Sequence, residues 1–99
     1  MKLKPSCYKK GDVVFITELN HPICLYKQKK DNSWVGIILT SEQRDGLTIE
    51  KVNSRFEFGY FTVTLTSVFV SDKLKYFGNI GNSKQLKLVY ESIVKSYQI

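Results

Sequence analysis

Residues 56–70, FEFGYFTVTLTSVFV, form the segment that most restricts the fold of this chain. From Phe56 to Thr66, every second position holds an aromatic residue or a threonine. A period of two is typical of a β-strand. The segment predicts one long strand or a bent pair of strands, with the bend at Gly59. A fold in which β-structure dominates is therefore expected.

Shorter apolar runs bounded by turn residues predict further strands. They cover residues 13–16, with an end near Glu18, residues 23–26 and residues 34–39. Gly36 inside the third run indicates a bulge or a close backbone approach. The dipeptide Asp45-Gly46 is a strong hairpin signal, so the apolar residues that follow it are predicted to pair with the strand before it.

The last third of the chain predicts a loop and then a helix over about residues 83–98. Glycine and asparagine punctuate residues 78–82, and Ser83 is the predicted N-cap. Apolar residues recur at helical spacing on one face, which is expected to pack onto the sheet. These residues are Leu86, Val89, Tyr90, Ile93 and Tyr97.

Together these elements predict a mainly β fold, a small SH3-like antiparallel barrel of five strands with one C-terminal α-helix. The chain has 99 residues, which is the usual size of one domain, and no linker or repeat divides the sequence. The prediction is a single SH3-like barrel domain over residues 1–99.

The formal net charge is +6, from 15 basic and nine acidic residues. All the basic residues except Arg44 and Arg55 are lysines. Such an excess attracts polyanions such as RNA or DNA, and it also occurs as a solubility feature. Lysine lacks the forked geometry with which arginine recognises bases and phosphates. Both interpretations of the charge therefore stay open.

Other classes are disfavoured by what the sequence lacks. No apolar stretch approaches the length of a membrane span, and a cytoplasmic protein that does not contact a membrane is expected. Cys7 and Cys24 are expected to be reduced thiols rather than a disulfide. With His21 as the only histidine, no zinc site is expected, and no phosphate-binding loop indicates a nucleotide cofactor. No cofactor or metal is predicted.

The order of elements resembles the MazF/PemK toxin family, small SH3-like endoribonucleases that form dimers. The resemblance lies in GDVVFITEL, in WVGIILTSE, in a third strand ending in VNSR, and in the closing segment SVFVSDKLKYFGNIGNSKQLKLVYESIV. It implies an SH3-like barrel, a homodimer, and single-stranded RNA or an antitoxin protein as the partner.

The resemblance also implies positions for catalytic residues. Members that cleave RNA usually carry Arg-Pro just before the second main strand, whereas residues 32–35 here read Asn-Ser-Trp-Val. Ser54 matches the Ser or Thr that the family places at the end of its third strand. Arg55 beside it is the preferred phosphate contact, and His21 is a candidate acid or base. Local structural roles for these three residues remain open.

A nucleic-acid interface is predicted around the lysine-rich loop. Trp34 and Tyr26 flank this loop and could stack on unpaired bases, although core packing explains Trp34 equally well. The cationic residues assigned to the interface are Lys27, Lys29, Lys30 and Lys51.

Three functions remain open from the sequence. The first is a MazF/PemK-like RNA-binding protein, with or without weak endoribonuclease activity. The second is a non-catalytic Tudor- or KOW-like module, of phage or mobile-element origin, that binds and inhibits a host protein or nucleic-acid complex. The third is a basic accessory protein with no specific target. Clustering of the lysines around Trp34 and Tyr26 would favour nucleic acid.

Overall fold

The apolar runs of the sequence become the strands of one antiparallel sheet. A computed structural model describes residues 8–43, 46, 48–52, 59–71 and 74–97. The elements are β1 (Asp12–Ile16), β2 (His21–Gln28), β3 (Trp34–Thr40), β4 (Thr48–Lys51), β5 (Tyr60–Val68), β6 (Lys75–Asn79) and α1 (Ser83–Tyr97). The prediction of a mainly β fold with a single C-terminal helix is confirmed.

The strands lie in the order β4-β5-β3-β2-β1-β6. Hairpins join β1 to β2 and β2 to β3, and β6 returns to pair with β1. Among the described residues, the sheet thus has six strands rather than the predicted five. The additional strand contains Gly78 and Asn79, which the sequence analysis placed in a loop. They form ladder pairs with Val13 and Asp12 because β1 offers an edge that β2 does not occupy.

The predicted hairpin at Asp45-Gly46 is wrong as a pairing between β3 and β4. β5 lies between these two strands and pairs with both of them. One edge of β3 is taken by β2, and the long strand β5 occupies the other edge over nearly its whole length. Gly46 does have a positive φ of 77°, as a turn requires, but the chain after it crosses over to the far side of β5.

Both faces of the central strands are buried. The face toward the helix packs one core, in which apolar residues of β1, β2, β3 and β5 meet the buried side of α1. The opposite face packs a second core, which Tyr8 and the segment after β5 help to cover. The first core contains Val13, Cys24, Ile37, Leu39, Val52, Phe61, Ile80, Leu86, Val89 and Ile93. The second contains Tyr8, Val14, Ile16, Ile23, Leu25, Trp34 and Val68.

The helix begins as the sequence predicts, but its cap is Asn82 rather than Ser83. The Asn82 side chain accepts a hydrogen bond from the Gln85 N–H at 3.0 Å, and its carbonyl accepts one from the Leu86 N–H. Ser83 is the first residue of the helix. Asn and Ser are almost equally good caps, so local preference could not separate these neighbours. No helix among the described residues is long and apolar enough to cross a membrane.

Asp12, at the start of β1, is fully buried and connects three parts of the fold. Its Oδ2 accepts a hydrogen bond from the Lys9 N–H at 2.9 Å. Its Oδ1 accepts one from Asn79 Nδ2 at 2.9 Å and one from the Tyr76 hydroxyl at 3.2 Å. A buried carboxylate is tolerated when donors surround it, and these donors come from β6 and the N-terminal segment. Asp12 therefore has a structural role.

Cys24 is a free thiol on β2 and is fully buried in the first core. Burial, and secondarily the nearby Asp12 carboxylate, raises the pKa of the Cys24 thiol to about 12. Since the thiolate is the reactive form, Cys24 is expected to be inert at neutral pH. Cys7, the other cysteine of the sequence, lies outside the described residues.

In a Cys7→Ser variant, an aromatic disulfide reagent should label Cys24 only as fast as the protein unfolds. The measurement is the labelling rate in native buffer and in denaturant. Labelling of the native protein as fast as a free thiol would contradict the burial of Cys24.

Candidate nucleic-acid interface

A β-bulge in β2 brings two consecutive side chains to the helix side of the sheet. Leu25 pairs with Gly36, but the next ladder partner, Val35, pairs with Lys27, so Tyr26 is the extra residue. Regular alternation would point Tyr26 and Lys27 to opposite faces. The bulge turns Lys27 toward the helix as well, and bulges often re-aim side chains in this way.

Tyr26 stacks on Tyr90 of the helix. Their ring centroids are 4.1 Å apart and the planes are inclined by only 16°. Both rings are partly buried and contact the first core, so each leaves part of its surface to solvent. Stacking at this distance joins the helix to β2 and leaves an aromatic pair that is partly exposed to solvent.

Two lysines lie over these rings. Lys10 Nζ is 4.6 Å from the centroid of Tyr26, and Lys27 Nζ is 5.9 Å from the centroid of Tyr90. Both distances are in the range of cation–π attraction, and both lysines are exposed. We call Lys10, Tyr26, Lys27 and Tyr90 the tyrosine–lysine cluster.

The turn before β1 positions Lys10. The Gly11 N–H donates a hydrogen bond to the Leu25 carbonyl at 2.8 Å, and Asn79 Nδ2 donates one to the Lys10 carbonyl at 2.9 Å. Gly11 has a φ of 91°, and a Cβ there would lie 3.0 Å from Asn79 Oδ1. Glycine is therefore the residue that allows the Lys10 backbone to approach β2.

Burial raises the pKa of the Tyr26 phenol above its usual value, and the neighbouring Tyr90 and Glu91 add to this rise. The phenol is therefore protonated at neutral pH and available as a hydrogen-bond donor. The ring next to Lys10 and Lys27 thus carries no negative charge that would offset theirs.

The hairpin loop after β2 adds further cations. Lys29 Nζ donates a hydrogen bond to Ser67 Oγ at 2.8 Å, across β3. Lys30 is exposed at the tip of the loop. Asp31 closes the turn by accepting hydrogen bonds from the Ser33 hydroxyl and backbone N–H, and these bonds lower the pKa of its carboxyl. The hairpin loop therefore contains a turn at residues 31–33.

Trp34 cannot stack on bases in the way the sequence analysis considered. It is only 5% exposed and belongs to the second core, on the sheet face opposite the helix. Its indole Nε1 is buried without a hydrogen-bond partner among the described residues. The core-packing alternative for Trp34 is the correct one, because Trp34 belongs to the same buried cluster as Leu25 and Val68.

Two other predicted site residues lie far from the tyrosine–lysine cluster. His21 is exposed at the opposite end of β2 from Lys27, about 20 Å away at about 3.4 Å per residue. Lys51 pairs with Tyr60 of β5, and Tyr60 also pairs with Thr40 of β3. Lys51 therefore lies toward the end of β3 that is remote from Trp34. The structure therefore separates His21 and Lys51 from the other candidates. Ser54 and Arg55 lie outside the described residues.

Lys51 instead borders an open groove of about 690 Å³ between β4 and the start of the helix. Gln85 spans the groove floor, where its Nε2 donates hydrogen bonds to the Lys51 carbonyl at 2.8 Å and to Glu50 Oε1 at 3.2 Å. Lys84 and the exposed Leu88 complete the wall. Glu50 and the bonded Gln85 give this groove a mixed character rather than a basic one.

Lys10 and Tyr90 belong to the cluster although the sequence analysis did not assign them to a site. Tyr90 was predicted only as part of the packing face of the helix. A tyrosine at the border of such a face, with its polar end toward water, was the available signal. Lys10 carried no signal because its approach to Tyr26 depends on tertiary contacts.

Within the described part of the chain, no group of three or more His, Cys, Asp or Glu side chains is placed to hold a metal ion. Comparison with protein families, with curated protein sequences and with solved structures found no match to this chain.

Proposed function

We propose that this protein is a MazF/PemK-like RNA-binding protein that holds single-stranded RNA on its tyrosine–lysine cluster. The observation that carries the proposal is the partly exposed stack of Tyr26 on Tyr90 with a lysine over each ring. Proteins that bind single strands combine such aromatic surfaces with cations that follow the phosphates.

The aromatic part of the cluster supports unpaired bases as the ligand. A base stacked on an aromatic side chain contributes about 1–3 kcal/mol, and this contact needs a base face that is not covered by its neighbours. Tyr26 and Tyr90 are held rigidly by the core beneath them, so a base that joins the stack costs them little additional order.

The cationic part supports binding to the phosphate backbone. Lys10 and Lys27 are exposed, and their ammonium groups lie over ring faces. Long lysine side chains can move from a ring to a phosphate at small cost, since such contacts contribute about 0.5–1 kcal/mol at exposed sites. Lys29 and Lys30 extend the basic surface along the hairpin loop.

Binding rather than cleavage is the activity we propose. Attack by a ribose 2′-hydroxyl requires a proton acceptor beside the scissile phosphate. His21, the histidine candidate for that role, is about 20 Å from Lys27 along β2. RNA as the nucleic acid is supported by the resemblance to the MazF/PemK toxins.

The double variant Lys10→Gln/Lys27→Gln is expected to bind single-stranded RNA about tenfold more weakly at low salt. It should also reduce the slope of log K against log[salt] by about 1.4, because each lost phosphate contact contributes about 0.7 for a single strand. Fluorescence anisotropy with a labelled oligonucleotide, titrated at several salt concentrations, measures both quantities.

The matched control is Lys51→Gln/Lys84→Gln, which removes the same charge from the groove beside β4. It should change the slope far less than the cluster variant. Equal losses from both double variants would show that net charge, rather than the cluster, attracts RNA. Failure of the unaltered protein to bind RNA, together with recovery of one stoichiometric protein partner, would favour the interaction-module alternative.

A further inference from the structure

A small hollow borders the tyrosine–lysine cluster on the helix. Its volume is about 250 Å³, and its lining is Tyr90, Glu91, Val94 and Lys95. This volume is below the roughly 300–1,000 Å³ of pockets for drug-sized ligands. The hollow therefore suits a small planar group rather than a whole nucleotide.

Tyr90 links the hollow to the stack. One side of its ring is covered by Tyr26 at 4.1 Å, and the ring also lines the hollow. A flat group in the hollow would contact the Tyr90 ring and rest against the methyl groups of Val94. Lys95 also lines the hollow and supplies a positive charge for a phosphate attached to that group.

Glu91 is the acidic residue that lines this hollow. Its carboxylate also lies close enough to Tyr26 to raise the pKa of the phenol. An ionised carboxylate only accepts hydrogen bonds. It therefore attracts an exocyclic amino group and repels a keto oxygen in the same position.

Building on the proposed function, we propose that the hollow beside Tyr90 receives one unpaired base, and that Glu91 selects a base with an exocyclic amino group. Cytosine and uracil test this selection closely, because at position 4 one carries an amino group and the other a keto oxygen. Carboxylates accept hydrogen bonds from the cytosine N4 amino group elsewhere in protein–nucleic acid recognition. The repulsion of uracil adds to the discrimination.

The experiment compares oligo(C) and oligo(U) of about ten nucleotides, a length within the range of single-strand sites, by anisotropy at pH 7.5. The unaltered protein is expected to bind oligo(C) at least about tenfold more tightly, the lower end of what one hydrogen bond to a charged group supports. Glu91→Gln should reduce the ratio to less than about twofold, because a glutamine amide can face either base. It should not weaken oligo(U) binding.

Glu18→Gln is the matched control, since it removes the same charge from an exposed position in the turn between β1 and β2. It should leave the preference for oligo(C) unchanged. Equal binding of oligo(C) and oligo(U) by the unaltered protein would overturn the selection by Glu91 and leave RNA binding intact. A preference that persists in Glu91→Gln would also overturn it. Binding of neither oligonucleotide would overturn this inference together with the proposed function.

Discussion

Replacement of Asp12 by alanine is expected to lower the free energy of unfolding by about 3 kcal/mol or more. The variant loses three hydrogen bonds to a carboxylate that is fully buried. Donors that lose a charged acceptor in a buried site cost about 1–3 kcal/mol each. The loss should also detach β6 from β1, since Tyr76 and Asn79 both lie on β6. Chemical denaturation followed by circular dichroism measures the change.

Asp31→Ala is the comparison for Asp12→Ala. Asp31 also accepts local hydrogen bonds, but it is exposed to solvent in the hairpin loop. Water can replace its bonds, so its removal should destabilise the protein much less. Similar losses for the two variants would contradict the structural role assigned to Asp12.

Substitution of Gly36 by alanine is expected to destabilise the protein by about 2 kcal/mol. A Cβ at Gly36 would lie only 2.3 Å from Ile23 Cγ2 and 3.3 Å from the Cys24 carbonyl oxygen. Ile23 is fully buried in the second core and cannot move away freely. Overpacking of this kind costs about 1–3 kcal/mol. Thermal or chemical unfolding measures it.

A double-mutant cycle tests whether the clash with Ile23 causes this loss. Ile23→Ala removes the methyl group in question, so Gly36→Ala should cost less in that background, with a coupling of about 1 kcal/mol. Gly59→Ala is the control, because a Cβ at Gly59 meets nothing within 4 Å. The explanation fails if the coupling is absent or if Gly59→Ala is equally costly.

The lysine side chains of the cluster can be replaced without altering either of the two positions just considered. Asp12 and Gly36 are buried and support the sheet, whereas Lys10 and Lys27 are exposed side chains on its border. Variants of the lysines should therefore fold normally, and changes in their RNA affinity can be attributed to the interface. This separation makes the binding experiments interpretable without a correction for stability.

Local patterns predicted most of the elements. The alternation in residues 60–68, the apolar runs of β1 and β3 and the helical spacing of Leu86, Val89 and Ile93 all appear in the structure. Each of these signals depends on side chains within a few residues of one another. They can therefore be read from the chain without knowledge of its partners.

The burial of Trp34 could not be predicted from the residues near it in the sequence. Its position beside a lysine-rich loop was equally compatible with an exposed stacking residue and a core residue. The face of β3 that carries Trp34 is covered with the help of Tyr8 and Val68, which are far away in the chain. The pairing of β4 with β5 rather than with β3 could not be predicted for the same reason. Which strand occupies the edge of β3 is decided only when distant segments come together in the sheet.

The sequence by itself therefore determined the fold class, the helix and the basic character of this protein, because propensity, periodicity and charge are properties of short segments. Only the tertiary structure decided the strand order and the candidate interface. The bulge after Leu25 turns Lys27 toward the helix, and Tyr90 meets Tyr26 only when the helix packs on the sheet. Contacts between residues distant in sequence create that surface, and no short segment contains them.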